Sequence, residues 1–224
     1  DYVIAKIAKE FDFKGRKNHP KQEYKIDLQP TGGKYTEEYS KINTGFVMFG
    51  YLGAKANDIR TSLVLEMICS VLGDGLSSRL QQELIEKASE QIFNGVGAYY
   101  YPFRDGGNIF VQANFKPEAK NTVLEKLKQQ IEILYTNGIS EQELKKAKKK
   151  IKAGFASNSE SVTDIADTIG YYITVPGGLN YVEEYADTID KITAEEIKET
   201  AAEYMDINNV VISVLMPEEY KNEG

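Results

Sequence analysis

The order of the elements predicted along this 224-residue chain indicates an α+β fold, with a mainly antiparallel sheet of about five to six strands covered by a layer of helices. Alternating and helically spaced apolar residues give strands, two helices, two strands, a block of helices and a final strand, in that order. Strands that are grouped apart from the helices in this way are typical of helices stacked on a sheet.

The predicted strands share apolar side chains at alternate positions or in short continuous runs. They cover residues 38–42, 45–52, 92–101, 108–115 and 210–215. The run from Phe46 to Leu52 is apolar enough to be covered on both faces of the sheet. The loop from Arg104 to Gly107 joins the third and fourth strands, which predicts a hairpin.

The predicted helices share apolar residues at helical spacing and polar residues suited to capping their ends. They cover residues 2–11, 57–72, 78–87, 117–137, 140–155, 162–173, 181–189 and 193–205. Asn57 and Thr193 are predicted caps, and Ser78 with Gln81 fits the spacing of a capping box. Ser140 begins a second such box, with Glu143 three residues later.

Composition limits the possible partners. The formal net charge of −7 argues against nucleic-acid binding, because phosphate recognition needs a basic surface. The lysine-rich run from Lys145 to Lys152 is interrupted by apolar residues at helical spacing, so it predicts the solvated face of a helix. No run approaches the roughly 18 apolar residues needed to cross a bilayer. We expect a cytoplasmic protein, with export of a longer precursor as the alternative.

The chain has one histidine and one cysteine, too few for a conventional zinc-peptidase site or a Ser-His-Asp triad. His19 precedes Pro20 in a polar stretch, which predicts an exposed linker position. Cys69 lies among apolar residues and is predicted to be an inert core thiol. The sequence therefore predicts no metal ligand, cofactor or catalytic residue in this chain.

The turn that follows the predicted helix over residues 57–72 identifies a resemblance. The sequence resembles the C-terminal, non-zinc homologous domain of the pitrilysin/insulinase-type peptidases, which include mitochondrial processing peptidase, from about Phe46 to Leu215. The residues that carry this resemblance are Leu72-Gly73-Asp74-Gly75-Leu76-Ser77-Ser78-Arg79-Leu80, Glu83-Leu84-Ile85-Glu86-Lys87, Gly138-Ile139-Ser140, Glu143-Leu144, Ala147-Lys148 and Ile192-Thr193-Ala194-Glu195-Glu196-Ile197.

The resemblance implies two similar domains that face each other across a chamber enclosing an unfolded peptide. The family's N-terminal domain binds zinc through an inverted H-x-x-E-H helix and a distant Glu. In the corresponding helix of this chain, Leu63 and Met67 stand where the histidines would be, and Glu66 keeps its place. We expect Glu66 to lie at a polar edge or a partner surface. Zinc is expected only in a homologous domain or partner subunit outside this chain.

The family's C-terminal domain contributes an Arg and a Tyr, seven residues apart, that hold the substrate backbone and polarise its carbonyl. The resemblance places Ile85 at the Arg position and Ile92 at the Tyr position. Neither side chain donates a hydrogen bond, so neither stabilises an oxyanion. Tyr99, Tyr100 and Arg104 lie nearby but at the wrong distance from the turn. No catalytic, substrate-binding or metal residue of the family is thus predicted to be retained.

The resemblance also implies a division of the chain. Residues 1–15 are predicted to end a preceding domain, residues 16–36 to form a linker, and residues 37–224 to form the C-terminal domain. The leading hypothesis is a non-catalytic half that helps enclose a peptide for proteolysis by a zinc-bearing half or partner. The alternatives are an inactive homologue that acts as a scaffold or assembly subunit, and an unrelated binding module.

Overall fold

A computed structural model describes residues 2–11, 32–157 and 161–222. The strands of this described part form one sheet, and they are β1 (Lys34–Ser40), β2 (Gly45–Gly53), β3 (Phe93–Pro102), β4 (Gly107–Phe115) and β5 (Val211–Pro217). Their spatial order is β1-β5-β2-β4-β3. β1 runs parallel to β5, and the other neighbours are antiparallel. The predicted α+β class with a mainly antiparallel sheet is confirmed.

The helices follow the predicted order. They are α1 (Tyr2–Glu10), α2 (Ile59–Gly73), α3 (Arg79–Gln81), α4 (Lys120–Asn137), α5 (Glu141–Ser157), α6 (Val162–Thr174), α7 (Asn180–Lys191) and α8 (Ala194–Tyr204). A π-helical turn, Gln82–Glu86, continues α3. Within the described ranges, no helix is long and apolar enough to span a membrane.

Two of the predicted helix starts are confirmed. The Ser140 amide donates to the Glu143 carboxylate at 2.8 Å, and the Glu143 amide donates to the Ser140 hydroxyl at 3.3 Å. These are the two reciprocal bonds of a capping box. Thr193 accepts the Glu196 amide at 3.2 Å and begins α8. At the end of α4, Gly138 takes a φ of +72°, which suits glycine.

Two other predicted caps are wrong. Asp58, not Asn57, caps α2, since its carboxylate accepts a first-turn amide at 3.2 Å. Ser78 precedes α3 but forms no capping bond, and its hydroxyl is buried without a hydrogen-bond partner. Gln81 instead donates to Glu86 at 2.9 Å, so its side chain points along the π-helical turn rather than back to the cap.

The core lies between one face of the sheet and the helices. In α2, every residue from 62 to 73 is buried except Glu66. The predicted inner face of α4 is confirmed, because Val123, Leu127, Ile131 and Leu134 are all fully buried. The alternating residues of β4, from Ile109 to Phe115, complete the core from the sheet side.

Several predictions about exposure and boundaries are wrong. β2 is covered on one face only, and Phe46, Met48 and Leu52 on its other face are 36–40% exposed. The reason is that the helices of the core pack against the same face of the sheet. In α6 the helically spaced apolar residues that predicted this helix are exposed, with Val162 at 86%. β1 begins at residue 34, so it occupies residues 34–36 of the predicted linker.

The remaining predictions concern the linker with His19, the lysine-rich run and the division into domains. His19 and most of the predicted linker lie outside the described residues. The lysine-rich run follows the exposed face of α5, whose Leu144, Ala147 and Ile151 are buried as predicted. The division into a preceding helix, a linker and a C-terminal domain stays a prediction.

Gly73 is where α2 and the sheet come closest. A Cβ atom at Gly73 would lie 2.2 Å from the backbone nitrogen of Ala98 and 2.6 Å from the carbonyl carbon of Gly97, both in β3. Because these neighbours are backbone atoms, no side-chain rotation relieves the clash. The last turn of α2 therefore requires a glycine.

We expect Gly73→Ala to lower the free energy of unfolding by about 3 kcal/mol or more, because α2 and β3 must separate to admit the methyl group. Urea denaturation measures the loss. Gly170→Ala is the matched control, since a Cβ there meets nothing within 4 Å. In that exposed helix the same substitution should stabilise by about 0.5–1 kcal/mol. Equal effects at the two sites would contradict the proposed close approach.

Arg79 fixes the turn after α2 to the start of α5. Its guanidinium donates to the two Glu143 carboxylate oxygens at 2.5 and 2.9 Å and to the Gly138 carbonyl at 2.8 Å. The bond from Arg79 is the largest cause that lowers the pKa of Glu143 to about 2, and the bonds from Ser140 add to it. One carboxylate thus caps α5 and holds the turn.

We expect Glu143→Gln to destabilise the fold by about 1–2 kcal/mol at pH 7, a value reduced by the partial solvent exposure of the pair. Because the folded pKa of Glu143 is depressed, its stabilisation is present above the unfolded pKa and is lost as pH falls towards 2. Urea denaturation at pH 7 and pH 3 measures this change. If Glu143→Gln lowers the free energy of unfolding by the same amount at pH 7 and at pH 3, the ionised carboxylate is not responsible for the stabilisation.

Candidate functional site

The buried helix α2 carries the residues that the resemblance aligns with the zinc motif. Leu63 and Met67 are fully buried in the core, and neither offers the nitrogen, oxygen or thiolate ligand that zinc takes in proteins. Among the described residues, no group of three or more His, Cys, Asp or Glu side chains could hold a metal ion. The residues of this helix therefore do not fit zinc.

Glu66 projects from α2 into a cavity of about 750 Å³, here called the Glu66 cavity. Its aromatic lining comes from four elements separated along the chain. These lining residues include Tyr100 of β3, Phe155 of α5, Tyr171 and Tyr172 of α6, and Tyr185 of α7. Glu66 is mostly enclosed by this cavity, so it does not lie at the polar edge expected from the sequence.

Hydrogen bonding and ring contacts connect the walls of the cavity. The Tyr185 hydroxyl donates to the Glu66 carboxylate, with oxygen–oxygen distances of 3.3 and 3.4 Å. The Phe155 ring stacks on the Tyr185 ring with a centroid distance of 4.0 Å. The Phe155 ring also meets the Tyr172 ring of α6, with a centroid distance of 6.4 Å. These contacts hold α5, α6 and α7 around the carboxylate.

Burial dominates the electrostatics of the cavity. The pKa of Glu66 is raised to about 7, mainly by desolvation; the hydrogen bond from Tyr185 lowers it, and the nearby Asp74 adds a smaller rise. Asp74 itself pairs with Lys150 at 2.6 Å. Burial also raises the pKa of the Cys69 thiol, which lines the same cavity. A buried, protonated thiol is a poor nucleophile, in agreement with the predicted inert role.

Ile85 and Ile92, the predicted substitutes for the family's Arg and Tyr, lie near the entry to β3. Ile85 belongs to the π-helical turn, and Ile92 immediately precedes β3. Both are partly buried and pack against the core. Their alignment with the family's polar pair remains a prediction.

The second candidate surface is the face of the sheet opposite the helices. Its apolar part, here called the open sheet face, consists of Phe46, Met48 and Leu52 of β2, Tyr99 and Tyr101 of β3, and Phe110 of β4. Tyr99 lies directly opposite Phe110 in the strand register. The Tyr101 ring lies 6.0 Å from the Phe110 ring and 6.4 Å from the Tyr99 ring. Neighbouring strands thus present aromatic and aliphatic side chains on one face, interspersed with Asn108, Gln112 and Asn114 of β4.

Comparison with known proteins identifies the family. Residues 2–151 match the family described as Peptidase M16 inactive domain. The chain belongs to this family. The resemblance read from the turn around Ser78 and Arg79 is thereby confirmed, and so is the description of the chain as a non-zinc domain of the zinc-protease family.

The similar proteins agree with this assignment. The chain is 25% identical over 172 residues to the "Uncharacterized zinc protease" of Rickettsia bellii, covering 75% of this chain and 41% of that protein. It is 30% identical over 155 residues to "Zinc protease PqqE" of Helicobacter pylori, covering 65% of this chain and 33% of that protein. The chain spans less than half the length of either relative.

Solved structures share the fold. A protease from Helicobacter pylori superposes with a TM-score of 0.84 at 23% identity, covering 96% of this chain and 52% of that chain. A peptidase M16 inactive domain from Pseudomonas fluorescens gives a TM-score of 0.76 at 21% identity, covering 87% of this chain and 46% of that chain.

The sequence alone did not indicate the Glu66 cavity or the open sheet face. The strongest sequence signal for the open sheet face was the apolar run in β2. A strand this apolar is expected to be covered on both faces of the sheet, and one layer of helices covers only one face. For the cavity, the signal was the repeated tyrosines at residues 99–101 and 171–172. Neither pattern specifies which side chains meet, because that depends on the packing of α5, α6 and α7 around α2.

We expect Glu66→Gln to change the pH dependence of stability. Because the folded pKa of Glu66 is raised from 4.5 to about 7, the folded state holds the proton more tightly than the unfolded state, and stability falls as pH rises through that interval. Relative to the wild type, the variant should gain up to about 3 kcal/mol between pH 4 and pH 8. Urea denaturation at both pH values measures this difference.

Asp190→Asn is the control, because Asp190 pairs with Lys152 on the exposed side of α5 and does not line the Glu66 cavity. The free energy of unfolding of Asp190→Asn, relative to the wild type, should show no comparable gain between pH 4 and pH 8. If Glu66→Gln shows the same stability difference from the wild type at both pH values, the burial assigned to the carboxylate is wrong.

Proposed function

We propose that the chain is the non-catalytic half of a zinc metallopeptidase-like protein and that its open sheet face forms one wall of a chamber around an unfolded peptide. A homologous zinc-bearing half, in the same polypeptide or in a partner subunit, supplies the other wall and the hydrolysis. The observation that carries the proposal is the open sheet face, because large exposed apolar patches mark interaction surfaces.

The composition of this face suits an unfolded peptide. Tyr99 and Tyr101 are 41% and 48% exposed, and each combines an apolar ring with a hydroxyl that can meet a peptide backbone. The absence of strong charge among the six residues favours broad contact with apolar side chains over recognition of one charged group. The open sheet face therefore supports binding of varied extended segments.

The length of the relatives supports a second half. Because the chain spans less than half of the two proteases it matches, those proteins contain a further region long enough for a zinc-bearing domain. In this chain α2 places Leu63 and Met67 in the core, so hydrolysis is assigned to the other half. The domain division at residue 37 belongs to the same proposal.

A catalytically inactive scaffold is the second candidate. It is favoured by Ile85 and Ile92 at the positions where the resemblance implies the Arg and Tyr that polarise the substrate carbonyl. Loss of one such donor typically costs about 100-fold or more in turnover. Under this alternative the chain contributes to assembly, and the longer protein cleaves nothing.

The test uses the full-length protein with an unstructured peptide that carries a fluorophore and a quencher. We expect cleavage that a chelator abolishes, because the zinc belongs to the other half. The double variant Tyr99→Ser/Tyr101→Ser should raise KM by about tenfold with little change in kcat, since it removes binding area far from the metal. Fluorescence kinetics over a range of peptide concentrations separates the two constants.

Val162→Ser is the control, because it removes an even more exposed apolar side chain from α6 rather than from the open sheet face. It should leave both constants unchanged. If the full-length protein cleaves no peptide, the scaffold replaces the peptidase proposal. If cleavage occurs and the tyrosine pair changes neither constant, the open sheet face is not the chamber wall.

A further inference from the structure

The Glu66 cavity surrounds an acid that accepts a hydrogen bond from a neutral side chain, the Tyr185 hydroxyl. The charged side chains among its lining residues are Glu66, Asp74 and Lys150. Asp74 and Lys150 pair with each other at 2.6 Å. Glu66 accepts from the Tyr185 hydroxyl instead. The described part of this cavity therefore holds two carboxylates and one lysine, and Glu66 has no cation paired with it. Carboxylates withdrawn from water are usually compensated by a cation.

The rest of the lining suits a cation better than an anion or an apolar ligand. Tyrosine and phenylalanine rings attract cations through their electron-rich faces, and they combine with a carboxylate in sites that bind organic ammonium groups. An anion would be repelled by Glu66 and Asp74. A purely apolar ligand would leave the carboxylate desolvated without a new partner. The Ser70 hydroxyl also lines the cavity and is buried without a hydrogen-bond partner, so it can accept from an N–H donor.

We propose that the Glu66 cavity binds a protonated amine or guanidinium group, with Glu66 as its counter-ion and the surrounding tyrosine rings as its walls. The volume of about 750 Å³ lies within the range of small-molecule sites and accommodates a basic side chain with its neighbouring backbone. The ligand is either a lysine or arginine side chain of a peptide, or a free organic amine. This site shares Tyr99 and Tyr101 at its rim with the open sheet face, but Glu66 and Tyr185 belong to the cavity alone. Its occupation does not require hydrolysis.

Calorimetric titration at pH 8 tests the charge requirement. The probes are N-acetyl-lysine methylamide, its uncharged norleucine counterpart and n-butylammonium, each added to the protein. We expect the lysine derivative to bind at least about tenfold more tightly than the norleucine derivative, because both have a four-carbon side chain and only the lysine derivative carries the cation. Tighter binding of the lysine derivative than of n-butylammonium identifies a peptide side chain as the source, whereas equal binding of the two identifies a free amine.

Glu66→Gln tests the counter-ion. It keeps the size of the side chain and its contact with Tyr185 while removing the charge, and we expect it to weaken binding of the lysine derivative by about tenfold. Asp190→Asn should bind like the wild type, since Asp190 does not line the cavity. Thermal unfolding of each variant confirms that it is folded before titration.

The pH dependence gives an independent readout. The titratable groups that line the cavity with Glu66 are Cys69 and Asp74 on α2 and at its end, Tyr99, Tyr100 and Tyr101 on β3, Lys150 on α5, Tyr171 and Tyr172 on α6, and Tyr185 on α7. Burial raises the pKa of Cys69, Tyr100, Tyr171, Tyr172 and Tyr185, which keeps these groups neutral near pH 7. Since the pKa of Glu66 is raised to about 7, affinity for the lysine derivative should rise about tenfold from pH 6 to pH 8.

Tyr185→Phe keeps the ring and removes the hydrogen bond that lowers the pKa of Glu66. The rise in affinity for the lysine derivative should therefore occur at higher pH in this variant. The proposal is overturned if no cationic probe binds. It is equally overturned if the norleucine derivative binds as tightly as the lysine derivative, or if Glu66→Gln binds and titrates like the wild type.

Discussion

The close approach of α2 to β3 at Gly73 is the constraint on which the rest of the structure depends. With no side chain at this point, the helix lies against the backbone of the edge strand, and residues 62–73 are buried apart from Glu66. A helix enclosed on all sides gives each of its positions a fixed environment. The same packing positions the turn after α2, which Arg79 links to α5. It also directs the Glu66 carboxylate into the Glu66 cavity.

The single layer of helices explains the second candidate surface. Because the core helices pack against one face of the sheet, alternate residues of β2, β3 and β4 are left on the other face. A run as apolar as Phe46 to Leu52 is typical of a strand covered on both sides, and the described residues cover it on one side only. The excess of apolar surface supports the proposal that residues outside the described part cover this face, and the greater length of the relatives agrees with it.

Sequence-based prediction succeeded where an interaction joins residues close together in the chain, and it failed where an interaction joins distant residues. Ser140 with Glu143, and Thr193 with Glu196, form local pairs, and their capping bonds were predictable because their geometry needs only one helical turn. Ser78 with Gln81 has the same spacing but lies in a turn fixed by the distant Glu143, so tertiary contacts override the local signal. The Glu66 cavity joins residues from α2 to α7, and its assembly was beyond any local pattern.

Burial of Glu66 links stability to recognition. Removing water from a carboxylate destabilises its ionised form, which is why the pKa of Glu66 rises and why the group costs stability at neutral pH. The same loss of water strengthens its attraction for a cation, because the surrounding dielectric is low. A core-facing helix with Leu63 and Met67 has no structural need for a carboxylate between them. A partly buried, desolvated acid that weakens the fold when its site is empty and gains most from a cation is therefore better explained by binding than by packing.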